Sequence, residues 1–226
     1  MDCDVLITVC ALNDETLRLG RQVIQSCADN TDANIVIIGN NIPKAEDRRE
    51  LEEICRLLSV TFTYRDGPFN LAEAFNGQIH STHSKYYACF CQDVIFYPRW
   101  LENMITCWER EPEYFLLSPY SATGTVRPQG VEVPQDKILE IHPHCTAGLV
   151  FNREKTFHFD ERIPNVCDSD LHQFIMFNEL REGVCLSSRV DHIGQAVMST
   201  LTPDQRSTLV FRDCSDEKLH AKWKLK

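Results

Sequence analysis

The sequence has no apolar run long enough to cross a membrane. Its longest, such as 35–38 and 94–97, are strand-length, against the roughly 20 residues that a spanning helix needs. The opening Met1-Asp2-Cys3-Asp4 lacks the basic stretch of a signal peptide, so the chain is expected in the cytoplasm. It has no surplus of positive charge either. The formal net charge is −10, and an acidic surface repels phosphate backbones, which argues against a nucleic-acid partner. No CxxC pair occurs among the eleven cysteines. The closest two, Cys89 and Cys91, have one residue between them, so a structural zinc site is not expected. Most cysteines sit inside apolar runs and read as small buried hydrophobes in a reducing compartment. Internal repeats and low-complexity linkers are also missing. So is a glycine-rich loop with Arg or Lys after the first apolar run, which a nucleotidyltransferase would want.

What is present is an ordinary globular balance. Hydrophobic residues make up 43% and charged residues 25% of 226 positions, enough for one sizeable core in one α/β domain or two small ones. Residues 4–11 form a β-branched apolar run and read as a strand. Residues 15–28 carry Leu17, Val23, Ile24 and Cys27 at helical spacing, with Asp14 as the cap. Strand 34–38 ends in Gly39-Asn40-Asn41. Helix 44–58, strand 60–64 and helix 71–83 follow, and 86–97 is an apolar strand interrupted near Asp93. Strands alternating with helices imply parallel pairing through right-handed crossovers, and such sheets bind ligands beyond the carboxyl ends of their strands. The loops after Ala11, Ile38, Tyr64 and Cys91 therefore matter most.

The second half is less regular. Residues 98–110 read as a helix with Trp100 in the core, 114–117 as a strand and 121–134 as a long polar loop. Residues 145–151 read as a strand, 170–181 as a helix and 184–190 as a last strand. The tail after Thr202 reads as a short packed helix or a mobile end. The expected organisation is a nucleotide-sugar-binding half over 1–97, an acceptor half over 98–202 and a tail over 203–226.

Three stretches carry chemistry: Asn70 to Gly77 opening a helix, Cys91-Gln92-Asp93-Val94 breaking an apolar strand, and a late set of acids with a histidine. That late set is Phe159-Asp160-Glu161-Arg162, then Asp168-Ser169-Asp170, then Asp191-His192. Asp93 interrupts a run that otherwise reads as buried, which suits a hard metal ligand or a turn former. His192 follows a strand and could offer a neutral imidazole nitrogen. One of Asp168 and Asp170 caps a helix and the other is free for chemistry. Asn70 and Asn76 offer amides near a helix start, which attracts phosphate; capping is the alternative. Ala11, Asn13, Asn40, Arg65 and Gln92 stand at strand ends, where a nucleoside would lie.

In this order and spacing the stretches resemble the family 2 glycosyltransferases of the GT-A fold, over about residues 4–199. The resemblance implies a GT-A-like α/β domain with a mostly parallel central sheet between helices. It implies inverting transfer of a hexose or deoxyhexose from a nucleoside diphosphate sugar to a carbohydrate acceptor, with Mn²⁺ or Mg²⁺ held by Asp93 and His192. Its register gives Asp168 as general base and Asp170 as the structural partner. The chain departs from the family pattern at Cys91, Ala72, Gly39-Asn40-Asn41 and Cys167, where an acid or asparagine, a glycine, an aspartate and a glutamate are usual. Against this stand a non-catalytic nucleotide-sugar- or glycan-binding relic, favoured by Cys91, and the nucleotidyltransferase already disfavoured by its missing loop.

Overall fold

The computed structural model describes residues 1–67, 69–121, 138–140, 148–155, 157–163, 167–193, 196–205 and 215–224. In chain order the first half runs β1 (Cys3–Val9), α1 (Asp14–Asp29), β2 (Asn34–Asn40), α2 (Ala45–Leu57), β3 (Thr61–Arg65), α3 (Leu71–Ser81), β4 (Tyr86–Cys91) and β5 (Val94–Phe96). Then come α4 (Trp100–Arg110), β6 (Leu116–Ser121), β7 (Ile138–Glu140), β8 (Leu149–Asn152), α5 (Cys167–Phe177), β9 (Glu182–His192), α6 (Ala196–Thr200) and a final helix, α7 (Ser215–Trp223).

The strands form one sheet in the order β3-β2-β1-β4-β8-β6-β9-β5, with β7 on β9. β1 is central and buried along its whole length, as expected of a strand with parallel neighbours on both sides and helices on both faces. The two-residue period of the strands sorts the core into two layers. Val5, Ile7 and Val9 of β1, with Ala88 and Phe90 of β4, pack under α1, α2 and α4. Leu6, Tyr87 and Cys89 face the other way, against Phe75 and Ile79 of α3 and Leu171 and Ile175 of α5. Trp100 lies in the first layer with no exposed surface, its ring edge-on to Phe90. Helices on both faces of one sheet make a single α/β domain of the expected class.

Several boundaries differ from the sequence reading, each for a physical reason. Asn13, not Asp14, caps α1. It holds the extended conformation a cap requires, and its side chain accepts the Thr16 N–H at 2.8 Å in a capping box. The sheet is parallel from β3 to β4 and again between β6 and β9; β8 pairs antiparallel with both β4 and β6, and β5 and β7 pair antiparallel with β9. The expected strand 86–97 is two strands. The chain leaves the middle of the sheet at Cys91 and re-enters beside β9, so Gln92 and Asp93 form a corner rather than an interruption.

β9 itself is bent. Against β6 its register jumps between Pro119 and Tyr120, as in a β-bulge, leaving Leu186, Ser187 and Ser188 outside the ladder. α4 anchors that bulge: Ser188 Oγ donates to the Trp100 carbonyl at 2.6 Å, and the Ser187 carbonyl accepts from Asn103 Nδ2 at 2.6 Å.

α5 begins three residues earlier than expected, so Asp168 and Asp170 both lie in its first turn. The strand expected over 145–151 is seen from Leu149. Residues 122–134 of the expected loop, and Cys145, lie outside the described residues. The tail reading resolves to a helix over Ser215–Trp223.

The cysteine reading needs one correction. Cys3, Cys10, Cys27, Cys55 and Cys89 are buried and free, as expected of small hydrophobes, but Cys107 of α4 and Cys185 of β9 are joined by a disulfide. Packing α4 on β9 brings their Cα atoms to 6.5 Å, within bridging range. Among the described residues no helix is long and apolar enough to cross a membrane.

Candidate functional site

The topology decides which residues can meet. β1, β2, β3 and β4 run in parallel and end at Val9, Asn40, Arg65 and Cys91 along one edge of the sheet. β8 runs against β4 and β6 runs against β8. β6 and its parallel partner β9 therefore point the same way as β4, and their ends, Ser121 and His192, reach the same edge. β5 starts there, with Val94 paired to His192.

That pairing places Asp93 beside His192. The Asp93 carboxylate lies 3.5 Å from His192 Nε2, and the backbone is fixed twice: Ile193 N–H donates to the Asp93 carbonyl at 2.8 Å, and His192 N–H donates to Ser121 Oγ at 2.9 Å. Asp93 is almost fully buried and His192 half-buried. A carboxylate oxygen and an imidazole nitrogen thus face each other at the strand ends, separated in sequence by 99 positions but tied by one ladder pair. Ser121, which holds the His192 backbone, was not singled out in the sequence; its position at the end of an apolar strand gave no sign of it.

Cys91 ends β4, two residues before Asp93. It keeps an exposed surface while the surrounding protein still desolvates its thiol. That desolvation, then Asp93 and more weakly Asp168, push the thiol up to about 12 against an opposing hydrogen bond with Thr8. Asp168 is half-buried, its Oδ1 accepting the Ser169 N–H at 2.9 Å.

Asp170 is different. It has no exposed surface, and its two oxygens accept from Lys222 Nζ at 2.9 Å and Trp223 Nε1 at 2.8 Å, both on α7. Lys222 also lies 3.3 Å from Asp160, whose carboxyl is bonded to Arg162 at 2.7 Å. These contacts join residues about 50 positions apart in a polar tail, and no local pattern announces them.

The other sequence candidates divide by how their hydrogen bonds are used. Asn13 caps α1, and its Nδ2 donates to the Thr200 carbonyl at 3.1 Å. Asn70 caps α3 through the Glu73 N–H and donates to the Glu161 carbonyl at 3.1 Å. Asn76 is buried, with its amide engaged by Phe159 N–H and C=O at 3.1 and 2.8 Å and by Glu161 at 3.0 Å. Gln92 is buried; its Oε1 accepts the Cys10 N–H, and its Nε2 donates to the Thr16 carbonyl at 3.1 Å, so it braces the β1–α1 turn. The Ala11 N–H donates to the Asn41 carbonyl at 3.4 Å, and Arg65 is ion-paired with Glu73. The amides of Asn13, Asn70, Asn76 and Gln92 thus bond backbone as caps and braces in this structure, the alternative the sequence also offers for Asn70 and Asn76.

Asn40 stands apart. It is fully buried at the end of β2, opposite Arg65 in the ladder, and among the described residues neither its Oδ1 nor its Nδ2 has a hydrogen-bond partner. A buried amide left in this state costs about 1–3 kcal/mol.

One expectation concerns acid stability. Hydrogen bonding from Arg162, with Lys222 adding its charge, holds the Asp160 carboxyl well below the usual carboxylate range. A carboxyl depressed in the folded state stabilises the fold fully above its unfolded pKa of about 4 and loses that contribution as pH falls further. Asp160→Asn should therefore melt below the wild type at pH 7, and the gap should close as pH drops below about 4. Melts that stay parallel down to pH 2 would contradict this.

The fold is GT-A-like. No family model matches the chain, and no curated protein matches it. Solved structures do. With TarS of S. aureus in complex with UDP-GlcNAc, the TM-score is 0.63 at 11% identity, over 99% of this chain and 72% of that one. With GalNAc-T7 bound to UDP, GalNAc and Mn2+, the TM-score is 0.64 at 13% identity, over 84% of this chain and 42% of that one. A longer TarS structure gives 0.60 at 12%, and this chain covers only 35% of it. The chain thus spans well under two thirds of several structures it resembles.

Proposed function

We propose that the chain is a metal-dependent glycosyltransferase, moving a hexose or deoxyhexose from a nucleoside diphosphate sugar to a hydroxyl of a glycan with inversion. The observation that carries this reading is the pairing of Asp93 with His192 at the carboxyl edge of a GT-A-like sheet. The structural neighbours TarS and GalNAc-T7 are glycosyltransferases, solved with UDP-GlcNAc and with UDP and Mn2+, which supports the substrate class.

The donor set fits a divalent ion. Among the described residues no group of three or more His, Cys, Asp or Glu is arranged for a metal, but Asp93 and His192 face each other at 3.5 Å. Mg²⁺ and Mn²⁺ take one or two protein ligands and fill their remaining positions with water and substrate phosphate oxygens. When bound there, the ion would neutralise charge on the departing diphosphate. Asp168 would accept the proton of the acceptor hydroxyl. That oxygen attacks the anomeric carbon as the bond from that carbon to the phosphate oxygen breaks, and the nucleoside diphosphate leaves. With one carboxylate in that role and attack in line, the anomeric configuration inverts.

Asn40, with Arg65 opposite, would face the nucleoside at the ends of β2 and β3, where parallel sheets bind such ligands. Its unpartnered amide supports that role. Asn40→Ala should leave thermal stability unchanged or raise it, because it removes a buried polar group without a partner, while weakening nucleoside diphosphate binding by about tenfold. A variant that loses stability and keeps its affinity would remove Asn40 from the site.

The reading is tested with a panel of nucleotide sugars and Mn²⁺, following release of nucleoside diphosphate with and without sugar acceptors. A second reading, a module that binds nucleotide sugars without turning them over, is favoured by Cys91 in place of an acid. Tight donor binding without release in any combination would select it.

A further inference from the structure

The C-terminal helix closes on the one element that carries the proposed base. Asp170 is fully buried, and a buried carboxylate is costly unless it is paired and hydrogen-bonded. Both of its oxygens are engaged from α7: Lys222 Nζ lies 2.8 and 2.9 Å from them, and Trp223 Nε1 donates to one at 2.8 Å. The Trp223 ring also stacks on Phe177 at the far end of α5, with centroids 5.1 Å apart and 23° between planes. Lys222 reaches Asp160 as well, at 3.3 Å. α7 therefore holds α5 at both ends and ties its first turn to the segment before it.

We infer that Lys222 and Trp223 are positioning residues for Asp168, acting through Asp170. Residues two apart on a helix point to nearly opposite sides. Fixing Asp170 toward α7 therefore fixes the rotation of the first turn, and with it the direction of Asp168 in that same turn. A base must sit within hydrogen-bond reach of the proton it removes, and a displacement of about 1 Å can cost as much as 10²-fold in rate. The clasp requires a cation and an N–H donor on α7, and Lys222 and Trp223 supply one each. Its catalytic consequence rests on the reading of Asp168 as the base.

The test uses the full chain with Lys222→Met, Trp223→Phe and Lys222→Arg. Trp223→Phe keeps the ring that stacks on Phe177 and removes only the N–H; Lys222→Arg keeps the charge. Two readouts are taken: backbone hydrogen exchange in α5, and Mn²⁺-dependent donor hydrolysis split into kcat and KM. The expected result is faster exchange in the first turn of α5 for Lys222→Met and Trp223→Phe. With it, kcat should fall about 10- to 10²-fold while donor KM moves by less than about threefold, and Lys222→Arg should restore both. Unchanged exchange in α5 would overturn the clasp whatever the activity. Faster exchange with unchanged kcat would overturn the positioning of the base. A wild-type chain that turns over no donor would sink the reading of Asp168 and its positioning together, and the exchange data would then report on the clasp alone.

Discussion

Replacing Asp168 by Asn is expected to lower transfer by roughly 10²-fold or more while donor affinity stays nearly constant. The change keeps size and the oxygen that accepts the Ser169 N–H, so the first turn of α5 should stay formed. What it removes is the capacity to take a proton. The contrast with Asp170→Asn makes the prediction sharp. Asp170 is buried against Lys222 and Trp223, so its loss of charge removes the buried ion pair and leaves one hydrogen bond poorly made, which should cost about 1–3 kcal/mol of stability before any kinetic effect is read. Asp168→Asn should thus be a stable, slow protein and Asp170→Asn a destabilised one. The product of the wild type should carry the anomeric configuration opposite to that of the donor. A fully active Asp168→Asn protein, or a retained configuration, would move the base elsewhere among Asp160, Glu161 and Asp170.

The second large effect is expected at Asp93. Asp93→Ala removes the one hard anionic oxygen of the proposed ion site, the carboxylate 3.5 Å from His192 Nε2. Mn²⁺-dependent donor binding, measured by titration calorimetry, should weaken by at least the roughly 10–100-fold that even an outer partner of a metal ligand is worth. Metal-free nucleoside binding should hardly change. His192→Ala should act in the same direction and less strongly, since a neutral ligand contributes less to a hard cation than a carboxylate. An Asp93→Ala protein with intact metal dependence would remove the ion from this corner.

Much of the fold can be read from the chain because strands and helices in its first half carry clean periods. The β-branched run of β1, the amphipathic stripes of α1 and α2 and the punctuation at Gly39 to Asn41 leave little choice but a parallel βαβ arrangement. The second half is harder, since its pairing depends on contacts far apart in sequence. Nothing local says that β5 joins β9, or that three residues of β9 bulge out and hang on α4. The candidate site shows the same division. Asp93, His192 and Asp168 stand out as polar residues at strand and helix ends. The amides of Asn13, Asn70, Asn76 and Gln92 stand out equally, and in this structure they bond backbone; an amide that bonds backbone looks in sequence like one that bonds ligand. Asp14 and Asn13 are adjacent and have equal capping propensity, so the sequence does not tell which of them caps α1; the structure has Asn13. Lys222 and Trp223 lie in a polar tail whose partner, Asp170, is identified only by the folded chain.

The most direct test of the account is thermal stabilisation of the wild-type chain across a panel of nucleoside diphosphates, each with and without Mn²⁺. A ligand present at 100 times its dissociation constant stabilises the native state by about 2.7 kcal/mol, a readily measured shift. The account predicts that at least one nucleoside diphosphate raises the melting temperature with Mn²⁺ present, much less without it, and by little in Asp93→Ala. A panel in which no nucleoside diphosphate shifts the wild-type melt under either condition would contradict it.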